Sequence, residues 1–301
     1  MTAEPLTRDE EERGVVSVVT HLRPRYESAN IRTWIGFKQF MQLAQEAVLG
    51  WFRERGLGPQ RLFHEYGAGL RVLDSSVLLP ATLEVDDEVT AEVTRTGGTT
   101  FTVRLRTCGE GAARVLRGRL TVALVPEAAA ERRDAELPGE LRALLTSPVA
   151  AEEIAGRPGQ FSWDWTARYF HCHYSDVVQH STYVAALEEV VDRYLAEVGL
   201  SVPRLLAERG WIPVVSRARV AVYGEARMDD VVRTTFAVDD IVGGRAFDGR
   251  MTCHVVEGDR TRLVAAGTIL HGYAVTRGES VGQLAELDEE TAEMLRRGEA
   301  R

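Results

Sequence analysis

The sequence has few cysteines, no long apolar stretch and no basic excess. Its three cysteines, Cys108, Cys172 and Cys253, are widely spaced and form no CxxC pair, which argues against a disulfide framework or a zinc ribbon and leaves three thiols. No apolar run reaches the roughly 18 residues of a membrane-spanning helix. The opening MTAEPLTRDEEER is acidic where a secretory signal starts basic and continues apolar, so a cytoplasmic location is expected. A formal net charge of −9 disfavours a nucleic-acid backbone or an anionic membrane as the main partner, because both repel an acidic chain. What is present is ordinary for a globular protein: 301 residues, 45% hydrophobic and 27% charged, enough for one large or two ordinary domains.

The chain repeats itself. A shift of 143 residues sets Arg25-Tyr26 on Arg168-Tyr169, Glu46 on Glu189, Val48 on Val191, Gly56-Leu57 on Gly199-Leu200, Asp87 on Asp230 and Val89 on Val232, a constant register of the kind that marks duplication. After each Arg-Tyr pair the apolar residues follow helical spacing. Phe40, Met41, Ala44, Ala47, Val48 and Trp51 in the first half become Tyr183, Val184, Leu187, Val190, Val191 and Tyr194 in the second. Gly56 and Gly199 are placed to stop the two helices.

Downstream, GLRVLDSSVLL, EVTAEVTRT, TFTVRLRTC and ARVLRGRLTVALV read as four strands separated by turn residues. VVSRARVAVY, DVVRTTFAV, RAFDGRMTCHVV and RLVAAGTILHGYAV match them in the second half. With a strand before each helix, each unit runs β, long α, then four β. One long apolar helix is best buried by wrapping an antiparallel sheet round it. The fold class expected is therefore α+β, a tandem double hot dog, with the units pairing edge to edge. The boundaries expected are 1–130 for the first unit, 131–160 for a linker with a short helix, 161–276 for the second unit and 277–301 for a charged tail forming a peripheral or frayed helix.

A duplicated scaffold supplies its own control, because a residue needed only for folding should have a similar counterpart. At the helix entrance Asp176 lies opposite Thr33, His180 opposite Phe37 and Glu188 opposite Gln45, and further on Glu225 lies opposite Thr82. This suggests a working site in the second copy and a degenerate one in the first. Asp176 and His180 stand at a helix start, where unpaired N–H groups and the positive dipole end can polarise a carbonyl. A thioester carbonyl there would have its oxyanion stabilised, while a carboxylate activates water and the imidazole aligns it or passes the proton.

DVVQH followed by Tyr183, and the YGEA segment before Asp230, resemble the acyl-acyl-carrier-protein thioesterases, tandem hot dogs whose motif has the form Asp-x-Asn-x-His with a later Glu. The pattern from His180 to Tyr183 is also similar to thioesterases of the hydroxybenzoyl-CoA type. The resemblance implies hydrolysis of a fatty or polyketide acyl thioester on coenzyme A or acyl carrier protein, with Asp176, His180 and Glu225 catalytic. Val178 stands at the Asn position, and Ser181-Thr182 replace the polar residues that usually follow the His. Gln179, Ser181, Thr182 and Tyr183 are the neighbouring candidates for substrate contact. Asn30, Thr33, Trp34 and Phe37 are candidates from the first copy, because paired hot dogs share residues across their interface. No cofactor is expected beyond coenzyme A or phosphopantetheine as part of the substrate, and a local basic patch would have to hold either. A homo-oligomer of double units is compatible, although a covalent pair already completes what single hot dogs gain by dimerising.

Blander readings stand beside these. Asp176, or Thr33 in the first copy, can cap a helix; Glu188 fits a solvated helix face and Glu225 an exposed bend. His180 is harder to explain structurally, since its counterpart is Phe37 and a buried imidazole needs a partner. His171 and His173 alternate about Cys172, which in a strand would place both on one face. Lacking a third ligand they read as packing, and no metal is expected. Glu46 can line the first-copy cleft, and Trp34, Phe37 and Phe40 fit either core or acyl tunnel. A hot-dog dehydratase or hydratase, acyl transfer or decarboxylation on a carrier, and non-catalytic acyl binding remain alternative functions.

Overall fold

The structure, a computed structural model, describes residues 17–127, 129–130, 136–146 and 160–297. Residues 1–16 of the expected first unit, most of the expected linker and residues 298–301 of the tail lie outside the described residues.

Ten strands form one antiparallel sheet in the order β1-β3-β4-β5-β2-β7-β10-β9-β8-β6. In the first half β1 is Ser17–Leu22, β2 Ala68–Leu78, β3 Val89–Gly97, β4 Thr100–Thr107 and β5 Arg114–Pro126. In the second, β6 is Phe161–Thr166, β7 Trp211–Val222, β8 Val231–Val242, β9 Ala246–Glu257 and β10 Arg260–Val275. The long helices are α1, Phe37–Arg53, and α3, His180–Glu197. The halves meet where β2 pairs with β7, and there Ser76 faces Arg219, its own counterpart under the 143-residue shift. Asp74 pairs with Ala221 and Leu78 with Arg217 on either side, so a pseudo-twofold axis passes through this joint. The tandem double hot dog expected from the repeat is the fold observed.

Both predicted helical stripes are buried. Ala44, Ala47, Val48 and Trp51 of α1, and Tyr183, Leu187, Val190 and Tyr194 of α3, expose at most 3% of their surface. Each large side chain so buried contributes about 1.5–3 kcal/mol. Trp51, Phe52 and Phe101 pack edge-on or tilted with centroids 5.1 to 5.8 Å apart. Gly56 and Gly199, just past the long helices, take φ of 66° and 84°, the left-handed turn that glycine adopts without strain.

Several local expectations are corrected. Each unit has a second short helix that the apolar pattern did not disclose, α2 (Pro59–Tyr66) and α4 (Val202–Arg209). Both are only eight residues long, too short for a periodic stripe to stand out. Neither Thr33 nor Asp176 is a cap: the residues before α1 and α3 are Gly36 and Gln179, without side-chain capping bonds. His171 closes a 3-10 turn and accepts a hydrogen bond from Arg168 N–H, and His173 stacks on Tyr174, so the two do not alternate along a strand. The tail forms the helix expected there, α5 (Glu289–Arg297), and this helix buries Thr291, Ala292 and Leu295. The short helix expected in the linker is present as a 3-10 turn over Gly139–Leu144, which buries Leu141 and Leu144.

Candidate active site

The pseudo-twofold axis makes two clefts, each built from the start of one long helix and the middle of the other. The cleft at the start of α3 takes Gln45 from α1; the cleft at the start of α1 takes Glu188 and Asp192 from α3. From His180 to Glu188 is eight residues, about 12 Å along a helix. Neither cleft belongs to a single copy.

The α3-start cleft gathers His180, Gln179, Ser181 and Glu225, and its free volume is ≈ 40 Å³, room for a few waters at most. His180 is buried, with Nε2 3.0 Å from Ser75 Oγ and 3.3 Å from the Val220 carbonyl. Burial pushes its proton affinity down to about 4, so the ring is neutral at ordinary pH. Asp176 turns away from the cleft and accepts a hydrogen bond from Arg227 at 2.8 Å. Glu225 is held between Arg71 and Arg227, each at 2.7 Å, and Arg71 also donates to the buried Glu127 at 2.8 Å. Every carboxylate near this cleft therefore has a guanidinium partner. Thr182 donates to the His171 carbonyl at 3.1 Å, pinning the entrance loop, and Tyr183 is core.

The α1-start cleft is a cavity of ≈ 630 Å³, within the range of sites that bury a small ligand. Trp34, Phe37, Phe40, Val191 and Ile212 supply apolar wall; Asn30, Thr82, Glu188 and Asp192 supply polar groups. Of the first-copy candidates, Asn30, Trp34 and Phe37 lie here and not beside His180. Thr33 lies outside, donating to the Glu84 carboxylate, and Glu46 pairs with Arg53 on the surface.

At the start of α1 the N–H groups of Phe37 and Lys38 have no carbonyl four residues back within the helix to meet, while those of Gln39 and Phe40 close on the Gly36 carbonyl. The Asn30 amide packs directly on Gly36, so closely that a Cβ there would lie 2.5 Å from it. Glycine at 36 thus leaves room for the Asn30 amide, which carries a donor, beside the start of α1. Across the cavity Glu188 is paired with Lys38. Asp192, one helical turn further on, lines the cavity and is exposed. Its proton affinity is nevertheless pushed up to about 6, by burial first and by the Glu188 charge second, with Lys38 opposing. A carboxyl tuned to that range suits a general base. Glu188, expected on a solvated face, is instead part of this wall.

Asp192 and Lys38 were missed in the sequence, as were Arg71, Ser75 and Arg227 round His180. The signal for Asp192 was present, since the shift sets it opposite Leu49. Among the described residues no group of three or more His, Cys, Asp or Glu gathers to hold a metal ion, and no described helix is long and apolar enough to cross a membrane.

Residues 161–295 match the family model of the Thioesterase-like superfamily. No curated protein matches the sequence. Among solved structures, a protein of Lactobacillus plantarum assigned as an oleoyl thioesterase superposes with a TM-score of 0.62 at 13% identity, covering 86% of this chain and 97% of that one. The 12:0-ACP thioesterase of Umbellularia californica gives 0.60 at 14% identity, covering 85% and 94%. An acyl-ACP thioesterase of Bacteroides thetaiotaomicron gives 0.57 at 11% identity, covering 87% and 99%.

Proposed function

We propose that this chain, whose second unit matches the thioesterase-like superfamily, hydrolyses acyl thioesters in the cavity at the start of α1. The observation that carries the assignment is the meeting, in one ≈ 630 Å³ cavity, of a helix start, the Asn30 side chain and the Asp192 carboxyl. The acyl group lies against the apolar wall, and the thioester oxygen takes hydrogen bonds from Asn30 and the first-turn N–H groups of α1. Asp192 removes a proton from water as the water attacks the carbonyl carbon. Negative charge collects on the oxygen beside those donors, and collapse of the tetrahedral species expels the thiolate, which takes the proton held by Asp192 and so restores the carboxylate. Burial first and the negative charge of Glu188 second hold Asp192 in the proton-accepting range, with Lys38 opposing.

Coenzyme A and an acidic carrier protein are both anionic, and the first unit offers them a basic face. Register places Arg104 beside Arg117, Arg106 beside Arg114, and Arg119 beside Ser76 on the outside of the sheet, with Arg217 across Leu78. Arg104, Arg217 and Arg219 have carboxylate partners. Among the described residues Arg106, Arg114, Arg117 and Arg119 make no ion pair. The face adjoins the cavity, since Leu79 to Thr82, directly after Leu78, line it.

A second reading places hydrolysis at the α3 start, with Glu225 and His180 acting on water in the small cleft; the burial of His180 beside Ser75 favours it. One experiment separates the readings. Acyl-CoA and acyl-carrier substrates are incubated with the wild type, Asp192→Asn, Glu225→Gln and His180→Ala, following free thiol by absorbance and products by mass. Thiol release lost in Asp192→Asn supports the α1 cavity, and loss confined to the other two supports the α3 start. Gain or loss of one water without thiol release would show a hydratase or dehydratase instead.

A further inference from the structure

One buried group in the cavity wall has no part in the hydrolytic scheme. His271 on β10 is 3% exposed and lines the cavity. Its ring stacks on Phe247 at 4.7 Å and meets Tyr273 edge-on at 5.3 Å. Nδ1 is buried with no hydrogen-bond partner, a costly condition for a polar atom.

The duplication shows that packing does not require this residue. His271 faces Val215 across the β10–β7 ladder, and 143 residues earlier Val72 faces Val122. Val122 occupies the equivalent wall position and is fully buried. The imidazole is therefore a polar insertion at a site that a valine can fill. Burial keeps the ring neutral, its proton affinity down to about 3. With Nδ1 sealed off from any acceptor, the single ring proton belongs on Nε2. Among the described residues no protein group accepts it.

We infer that the acyl group held in this cavity carries an oxygen beyond the thioester, a hydroxyl or a keto group, that accepts a hydrogen bond from His271 Nε2. The ligand oxygen takes a hydrogen bond that only solvent could otherwise accept. The inference rests on the thioesterase reading for the word acyl. A plain alkyl chain would bury the same donor unpaired, which is how a polar group in an apolar pocket discriminates. His271 thus sets specificity and takes no part in bond breaking.

The test compares a dodecanoyl thioester with its singly hydroxylated and keto-substituted counterparts, on the wild type, His271→Val and His271→Gln. For the best-placed oxygen the wild type should favour the oxygenated chain by about tenfold in kcat/KM, the effect of one hydrogen bond. In His271→Val the ratio should fall to near one, and His271→Gln, which keeps a donor, should recover part of it. His271→Val should melt at or above the wild-type temperature, whereas a structural histidine would lower it. The same ratios are read in Kd by calorimetry with amide-linked acyl-pantetheine analogues, which need no hydrolysis. Discrimination by the amides without thiol release would retain the specificity site and reject the hydrolase. Thiol release with a ratio unmoved by His271→Val, or a wild-type preference for the plain chain, would overturn the inference.

Discussion

Replacing Gly36 by alanine should uncouple substrate turnover from folding. The new Cβ would stand 2.5 Å from the Asn30 amide nitrogen, 3.2 Å from Cγ and 3.3 Å from Oδ1, whereas ordinary contact begins at 3.4 Å. Asn30 must therefore retreat by about 0.9 Å, and a displacement of about 1 Å at a reacting centre costs on the order of 10²-fold. Losing one oxyanion donor outright costs about 10²–10³-fold in kcat. A fall of about 10² in kcat is expected, with KM little changed, because the oxygen draws most on the amide when it is charged. The backbone resists nothing, since φ at 36 is −74°. Glycine to alanine before a helix should cost about 0.5–1 kcal/mol, a lowering of Tm by a few degrees. Stopped-flow thiol release with calorimetric melting on the same preparation gives both numbers. A folded Gly36→Ala protein with wild-type kcat would remove Asn30 and the α1 start from the reaction.

The remaining predictions concern charge. With Asp192 held near 6, kcat/KM should climb as pH rises through about 6 and level off above it, and Asp192→Asn should lose that limb with most of the rate. Because the folded proton affinity of Asp192 lies above the ordinary 3.8, the folded state binds the extra proton between those values. This group's effect on stability is thus favourable below that window and fades as pH rises through it, so Asp192→Asn should melt higher than the wild type at pH 7. Lys38→Met removes the charge that opposes protonation of Asp192 and should move the limb to higher pH. Arg71→Met leaves the Glu127 carboxylate, 2% exposed, without its guanidinium. Breaking such a buried pair costs about 3–5 kcal/mol, visible as a clear drop in Tm.

The fold was legible because duplication and period act locally. Val48 over Val191 and Phe40 over Tyr183 repeat in register, and an apolar stripe at helical spacing has few other homes than the inside of a curved sheet. The candidate site was only half legible. Comparing His180 with Phe37 asks which copy has the better helix start, but the symmetry pairs the start of each helix with the middle of the other. Asp192 therefore serves the start of α1, although it belongs to the copy whose own helix start is closed by arginines. No local pattern reports that pairing, nor that Arg227, 51 residues from Asp176, turns its carboxylate outward. The same shift that revealed the repeat does expose Asp192 over Leu49, and the strand register exposes His271 over Val122, once polar residues are sought along the whole unit.

The most direct measurement is kcat/KM for Asp192→Asn and Glu225→Gln side by side on one acyl thioester, both checked for folding. With the chemistry in the α1 cavity, Asp192→Asn loses about 10²–10⁴-fold, the usual contribution of a general base, while Glu225→Gln keeps wild-type turnover. Undiminished activity in Asp192→Asn, with the loss appearing in Glu225→Gln, would place the reaction at the start of α3 and contradict the assignment.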